Sequence, residues 1–342
     1  MIRRVKSNSR DPFLAAERMG QLIPRSQFHP AVLEWAAQRR KSDVWAVALS
    51  GGSDSVALMF LMWAHWPERR KNLVALHFNH RLRGRESTAD EVFSRKLCVA
   101  LNVRLKIGRW QGNNRGASEA IARIARHDFF AAQMKACGSR VLWLAHQQDD
   151  IAETMLMRLA RGSGLGGMAA PRPVQTAVGG RTHLRPLLTL KKAALVAALK
   201  KAGAKWREDS SNDTALYFRN RVRSKVIPAW TKAAGRDALV GAARSRELLE
   251  EDDDALNAWA AKLAVMGRNR HLDVRPLAGV PRGVTRRVLH LWLLAARPLG
   301  DLSRQGFDVL LAALEQGKPT RFSLGRKDFA VIRQGSLSLK RG

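Results

Sequence analysis

Short apolar runs alternate with helix-forming stretches through the first two thirds of the chain. VWAVAL at 44–49 and VLWLAH at 141–146 are continuous apolar runs of strand length, as expected of strands covered on both faces. LVALHFN at 73–79 and VRLKIG at 103–108 are further strand candidates, the last alternating with period two. Between them VALMFLMWAHW predicts a helix, Ser87-Thr88-Ala89-Asp90 reads as a capping box opening a helix through Leu101, Ser118 caps a helix to about Lys135, and 151–161 predicts another. Residues 1–40, broken by Pro24 and Pro30, read as a helical or irregular N-terminal extension. This alternation predicts βαβ units, hence an α/β domain over 41–235 with a parallel sheet and helices on both faces. Ligands then belong in the crevice at the carboxyl ends of the strands, where polar motifs directly follow the runs at 44–49 and 141–146. A helical connector over 236–267 and a smaller, mainly helical C-terminal domain over 268–342 complete the expected organisation.

Charge changes the picture. The 342 residues hold 60 Lys+Arg and 29 Asp+Glu, a net of +31. The surplus is +24 over 1–235 and +10 over 268–342, with −3 between them, where Glu250–Asp254 form an acidic run. Two basic bodies suit a folded polyanion gripped at two places. No apolar stretch reaches membrane-spanning length, and the first residues lack the apolar segment of a secretory signal. Cys98 and Cys137 form no C-x-x-C pair, which argues against a disulfide framework or zinc ribbon and for a reducing, cytoplasmic setting; with no spanning stretch, no membrane partner is expected.

The sharpest motif is Ser50-Gly51-Gly52-Ser53-Asp54-Ser55, a tight Gly-Gly turn between strand and helix. Its glycines allow close backbone approach, the helix start offers N–H groups to phosphate, and the serines add hydroxyls. A carboxylate in such a cradle needs a cation, so Asp54 is the expected Mg²⁺ contact. The loop lacks the G-K-[ST] ending of a Walker A motif. HFNHRLRGRES follows the second run and brings Arg81, Arg83 and Arg85 to the same edge. HQQDDIAET follows the fourth run: Asp149, Asp150 and Glu153 are three of only five acids between residues 92 and 207. Asp150 and Glu153, spaced i,i+3, share a helix face and are candidates for Mg²⁺ or a substrate ammonium, with His146 beside them. RGSGLGG at 161–167 reads as a flexible loop or linker, and WREDSSND with FRNRVR before Pro228 as an acidic turn followed by a basic helix start.

In this order and spacing the motifs over about 44–228 resemble the tRNA(Ile)-lysidine synthetase family of PP-loop ATP pyrophosphatases, although RGSGLGGM ends in Met168. The resemblance implies a PP-loop, Rossmann-like sheet and ATP-dependent ligation of L-lysine to C2 of the wobble cytidine of tRNA(Ile) with a CAU anticodon. The cytidine would be adenylated and AMP then displaced. It also implies ATP at Ser50, Gly51, Gly52, Ser53, Asp54 and Ser55, Mg²⁺ at Asp54 and Asp150, Arg126 near the nucleotide, and lysine near His146 and Glu153. For tRNA it offers Arg81, Arg83, Arg85, Arg282, Arg286 and Arg287. A homodimer is compatible with the sequence. The alternatives are another PP-loop enzyme, a tRNA thiolase or an ammonia-dependent synthetase, and a non-catalytic RNA-binding protein on the same fold.

Overall fold

Each apolar run becomes a strand because helices cover it on both sides. The computed structural model describes residues 11–82, 84–111, 119–177, 179–208, 218–264, 266–267, 271–297 and 302–342. In it, β1 (Trp45–Ala48), β2 (Leu73–Asn79), β3 (Arg104–Arg109) and β4 (Val141–Trp143) join the antiparallel edge pair β5 (Val174–Ala177) and β6 (Arg181–Leu184). The order is β3-β2-β1-β4-β6-β5, parallel except at β5. Trp45 lies opposite Leu73 on one side and Val141 on the other. Period-two alternation sends Trp45, Val47, Leu73, Ala75, Val141 and Trp143 into one apolar cluster, and Ala46, Val74, Leu76, Leu142 and Leu144 into another. Chain order reverses at β1 and β4, so the crevice between their carboxyl ends is the topological switch point.

The helices of this region are α1 (Pro12–Leu22), α2 (Pro30–Ala37), α3 (Ser53–His65), α4 (Arg85–Ala100), α5 (Glu119–Ala136), α6 (Gln148–Leu159), α7 (Leu165–Met168), α8 (Lys192–Ala202), α9 (Phe218–Arg221) and α10 (Ile227–Ala234). α1, α3 and α8 pack together on the first face, and Phe130 and Met134 of α5 cover the second. α3 is apolar on all sides and buried from Ser55 to Trp63. A Cβ at Gly20 would stand 2.8 Å from the Ala64 Cβ, so this glycine sets how closely α1 meets α3. Residues 12–37, read from sequence as part of an extension, instead supply Ala15, Ala16, Met19, Phe28 and Val32 to the same core. α4 begins at Arg85 rather than at a Ser87 cap, with Gly84 before it at φ +52°, and Ser87 and Asp90 are turned inward.

α11 (Ala238–Leu263) contains the division between two compact units, one ending at Glu247 and the other comprising Leu248–Gly342. The second unit adds α12 (Arg282–Ala296), α13 (Arg304–Glu315) and four antiparallel strands: β7 (Leu272–Asp273), β8 (Thr320–Gly325), β9 (Asp328–Arg333) and β10 (Ser336–Arg341). The expectation of a mainly helical domain is thus extended by a small sheet. FSLGRKDFAVIRQGSLSL forms hairpins whose turns place Arg326, Lys327, Gln334 and Gly335 at positive φ. Its core joins Val288, Leu289 and Trp292 of α12 to Leu310, Leu324, Ile332 and Leu337. No described helix is long and apolar enough to cross a membrane.

Candidate active site

The loop after β1 is wired by one buried hydroxyl. Ser55 Oγ accepts from the N–H groups of Ser50 and Gly51, both at 3.2 Å, and donates to the Gly52 carbonyl at 2.9 Å. Ser50 Oγ lies 3.0 Å from Ser55 Oγ and accepts from Gly52 N–H at 3.3 Å. Ser55 therefore shapes the loop from beneath. Gly51 adopts φ +96°, and Gly52 caps α3 with no side chain of its own, leaving the helix start open to an anion. Arg207 N–H donates to the Gly51 carbonyl at 2.9 Å, and Arg207 Nε reaches Asp90 Oδ1 at 2.9 Å, tethering the segment after α8 to the loop. Asp54 stands on the first turn of α3 with Ser53 Oγ at 3.4 Å. Burial, together with Asp150 nearby, raises its pKa against the opposing pull of Lys192, Arg223 and the Ser53 hydroxyl.

In the HQQDDIAET motif Asp150 and Glu153 are engaged by arginines. Gln147 and Asp150 form a reciprocal cap on α6: Asp150 Oδ2 accepts Gln147 N–H at 2.9 Å, and Gln147 Oε1 accepts Asp149 N–H at 2.7 Å. Asp149 Oδ2 accepts Lys192 N–H at 2.9 Å. Glu153 is fully buried and takes Arg219 Nε at 2.6 Å and Arg223 Nε and Nη2 at 2.6 and 3.1 Å. Arg219 also binds Asp150 Oδ1. Glu153, expected near a substrate ammonium, has both oxygens occupied by guanidinium groups. Among the described residues no group of three His, Cys, Asp or Glu side chains is placed to hold a metal.

The second strand supplies braces. His77 Nδ1 meets the Leu49 carbonyl at 2.9 Å, and Asn79 Nδ2 binds the Ser87 carbonyl and Glu91. Glu91 receives Arg109 through two bonds of 2.6 and 2.9 Å, which with Asn79 and Arg95 lower its pKa to about 2. Arg81 and Arg85 are exposed at this edge, Arg81 at φ +55°; Arg83 lies outside the described residues, as do 209–213 of the WREDSSND motif. Of the glycine-rich stretch read as a loop, residues 161–164 are non-helical and Leu165–Met168 form the single turn of α7, latched by Arg158 Nη1 on the Gly167 carbonyl at 2.5 Å. Arg126 lies on α5, close enough to help depress the pKa of His146. Burial and Arg185, Arg219, Arg123 and Arg126 hold the His146 imidazole well below 6.5, so it is neutral at pH 7. In the second unit Arg282 pairs with Glu315, Arg287 reaches Asp253 Oδ1 at 2.8 Å, and Arg286 is exposed.

A family profile described as PP-loop domain matches residues 24–230. A tRNA(Ile)-lysidine synthase of Geobacter sulfurreducens is 36% identical over 287 residues, covering 79% of this chain and 58% of that protein. A tRNA(Ile)-lysidine synthase of a Bradyrhizobium species is 34% identical, covering 72% of this chain and 73% of its own length. The chain belongs to the tRNA(Ile)-lysidine synthase family. It spans little more than half the length of the Geobacter member. The U34-tRNA thiolase NcsA from Methanococcus maripaludis shares the fold at 18% identity, with a TM-score of 0.52 over 69% of this chain and 78% of that one.

In this synthase-family chain the positions of the acids follow from the sequence, and those of their partners do not. Arg219 and Arg223 were seen only as a basic helix start, and Arg207, Asp90 and Lys192 carried no assigned role. One signal was available: a carboxylate on the buried face of a helix in a strongly basic chain requires a cation. FRNRVR offers arginines at i and i+4, which share a helix face.

Proposed function

We propose that this chain performs the family reaction: ATP adenylates the C2 carbonyl oxygen of the wobble cytidine in CAU-anticodon tRNA(Ile), and the ε-amine of L-lysine displaces AMP. Pyrophosphate leaves in the first step and the amine loses its proton in the second. The observation that carries the reading is the loop at 50–55, open at the start of α3 and facing Asp150 across the switch-point crevice. Mg²⁺ fits this site through Asp54, a carboxylate disfavoured by burial and by Asp150 that a cation would relieve; Mg²⁺ typically uses one or two carboxylates together with substrate phosphates. When bound it neutralises charge on the phosphates. Ser55 and Arg207 hold the loop in shape, and Arg126 adds positive charge at the same edge. Glu153 is fully enclosed with both oxygens on guanidinium groups, whereas Asp150, held by Arg219 and the Gln147 N–H, keeps some exposure and is the carboxylate assigned to receive the amine proton. The anticodon base is reached without opening a duplex.

Sulfur transfer suits the chain less well. Cys98 belongs to the cluster on one sheet face and Cys137 packs against the cluster on the other, and burial pushes the Cys98 thiol up to about 12. The test is incorporation of labelled lysine into a CAU-anticodon transcript with ATP, with AMP released in equal amount. Asp54→Asn should lower the rate about 10²-fold or more while the protein stays folded. Absent lysine incorporation, with pyrophosphate release driven by ammonia or a sulfur donor, would overturn the assignment.

A further inference from the structure

A second cationic cluster lies at the carboxyl ends of β4 and β6, and the chemistry above leaves it unused. β4 and β6 are parallel neighbours with Trp143 opposite Leu184, and Leu144 N–H donates to the Leu184 carbonyl at 2.8 Å. Side chains two residues apart share a sheet face, so His183 and Arg185 fall on the face of Leu142 and Leu144, the one that α5 covers. His183 lies against His127 of α5, ring centroids 6.0 Å apart. Arg185 is only 7% exposed. Its terminal nitrogens donate to the Arg172 carbonyl at 2.7 Å and Gln175 Oε1 at 3.0 Å, but its Nε–H is buried with no acceptor. His146 Nδ1 is buried without a partner in the same way. Native proteins satisfy nearly all such groups, so two orphans in one corner call for a ligand.

The local field specifies its sign. Arg123, exposed on α5, bears on His127, His146, His183 and Arg185 alike; Asp128 and Asp150 are the acids that bear on the corner. Burial and this field bring His127 and His183 to about 4 and Arg185 to about 10. The histidines are thus neutral N–H donors at pH 7, and the arginines carry the charge. A ligand here is a hydrogen-bond-accepting anion. Arg185 follows β6, two strands from β1 and roughly 10 Å away at the usual strand spacing, while His146 follows β4, the direct neighbour of β1, so ATP affinity is the readout that separates this corner from the 50–55 loop.

We propose that Arg185 and His146, with His183, His127 and Arg123 beside them, seat one backbone phosphate of bound RNA next to the adenylation crevice. This rests on the reading that the chain acts on RNA. The test uses the full chain and a stem-loop RNA with a CAU loop, titrated without ATP or lysine over a range of salt. Arg123→Gln, at an exposed position, and Arg185→Gln should each weaken binding about tenfold and reduce the log–log salt slope by about 1, leaving ATP affinity within about twofold. An unchanged slope for Arg123→Gln overturns the seat. So does a tenfold loss of ATP affinity with RNA binding intact, which would give the corner to the nucleotide instead. A chain that shows the slope change but incorporates no lysine refutes the ligase assignment and supports the seat.

Discussion

Replacing Glu153 by Gln distinguishes a structural carboxylate from a reactive one. Glu153 is fully buried and accepts three guanidinium N–H bonds, at 2.6, 2.6 and 3.1 Å, from Arg219 and Arg223. Breaking a buried ion pair costs about 3–5 kcal/mol because the remaining charge is left without a partner. Here the arginine side chains keep 27% and 32% of their exposure, so water screens part of that loss and about 2–3 kcal/mol is expected. The Gln amide also points an N–H₂ group at a guanidinium. Arg223→Gln removes two of the three bonds, so the double variant should be less destabilised than the sum of the singles by about 1–2 kcal/mol. Urea unfolding of the full chain, followed through the buried Trp45, Trp66 and Trp143 cluster, measures all three variants. A loss below about 0.5 kcal/mol for Glu153→Gln, or strict additivity, would refute the argument and return the carboxylate to the candidates for proton transfer.

Gly51→Ala meets no close atom, its Cβ standing 3.5 Å from Phe93, so its cost is backbone strain at φ +96°, about 1–2 kcal/mol. Calorimetric titration should show a weakened ATP affinity. Glu91 has a folded pKa of about 2 against 4.5 for the free group, so the stability it contributes is complete above about pH 5 and is lost as pH falls toward 2. Acid titration of Glu91→Gln should show a flatter stability curve in that window. Charge reversal separates two neighbours on α12. Arg287→Glu breaks the bond to buried Asp253 and should cost about 1–3 kcal/mol, whereas Arg286→Glu should change stability by less than about 0.5 kcal/mol and weaken RNA binding in a salt-dependent way.

Four strands were legible, β1, β2 and β4 as short apolar runs and β3 by its alternation, whereas the polar edge pair β5 and β6 carried neither signal. The loop at 50–55 was legible because glycine and small hydroxyl residues in that order serve few other purposes. α1 and α2 were hidden: their apolar side chains are spread between prolines, and only the packing of α1 against α3 and α8 reveals them as core. The hairpins of the second unit were hidden for a related reason. Their turns use Arg326-Lys327 and Gln334-Gly335 rather than the Asn-Gly or Asp-Gly pairs that announce a hairpin. At the site, acids could be located in sequence, but their state could not. Asp150 and Glu153 share a face, yet Arg219 and Arg223, which decide how they act, come from a helix far along the chain.

That separation matters during synthesis. Arg219 and Arg223 follow Glu153 by 66 and 70 residues, so at ribosomal speeds of about 5–20 residues per second the acid emerges roughly 3–14 s before its counter-ions. Over that interval β1 to β4 are already available, while α6 carries a carboxylate that cannot be buried without penalty. A nascent chain that closes α6 onto its neighbours before residue 223 has emerged therefore buries the Glu153 carboxyl without its guanidinium partners, and a product ending before α9 lacks both of them.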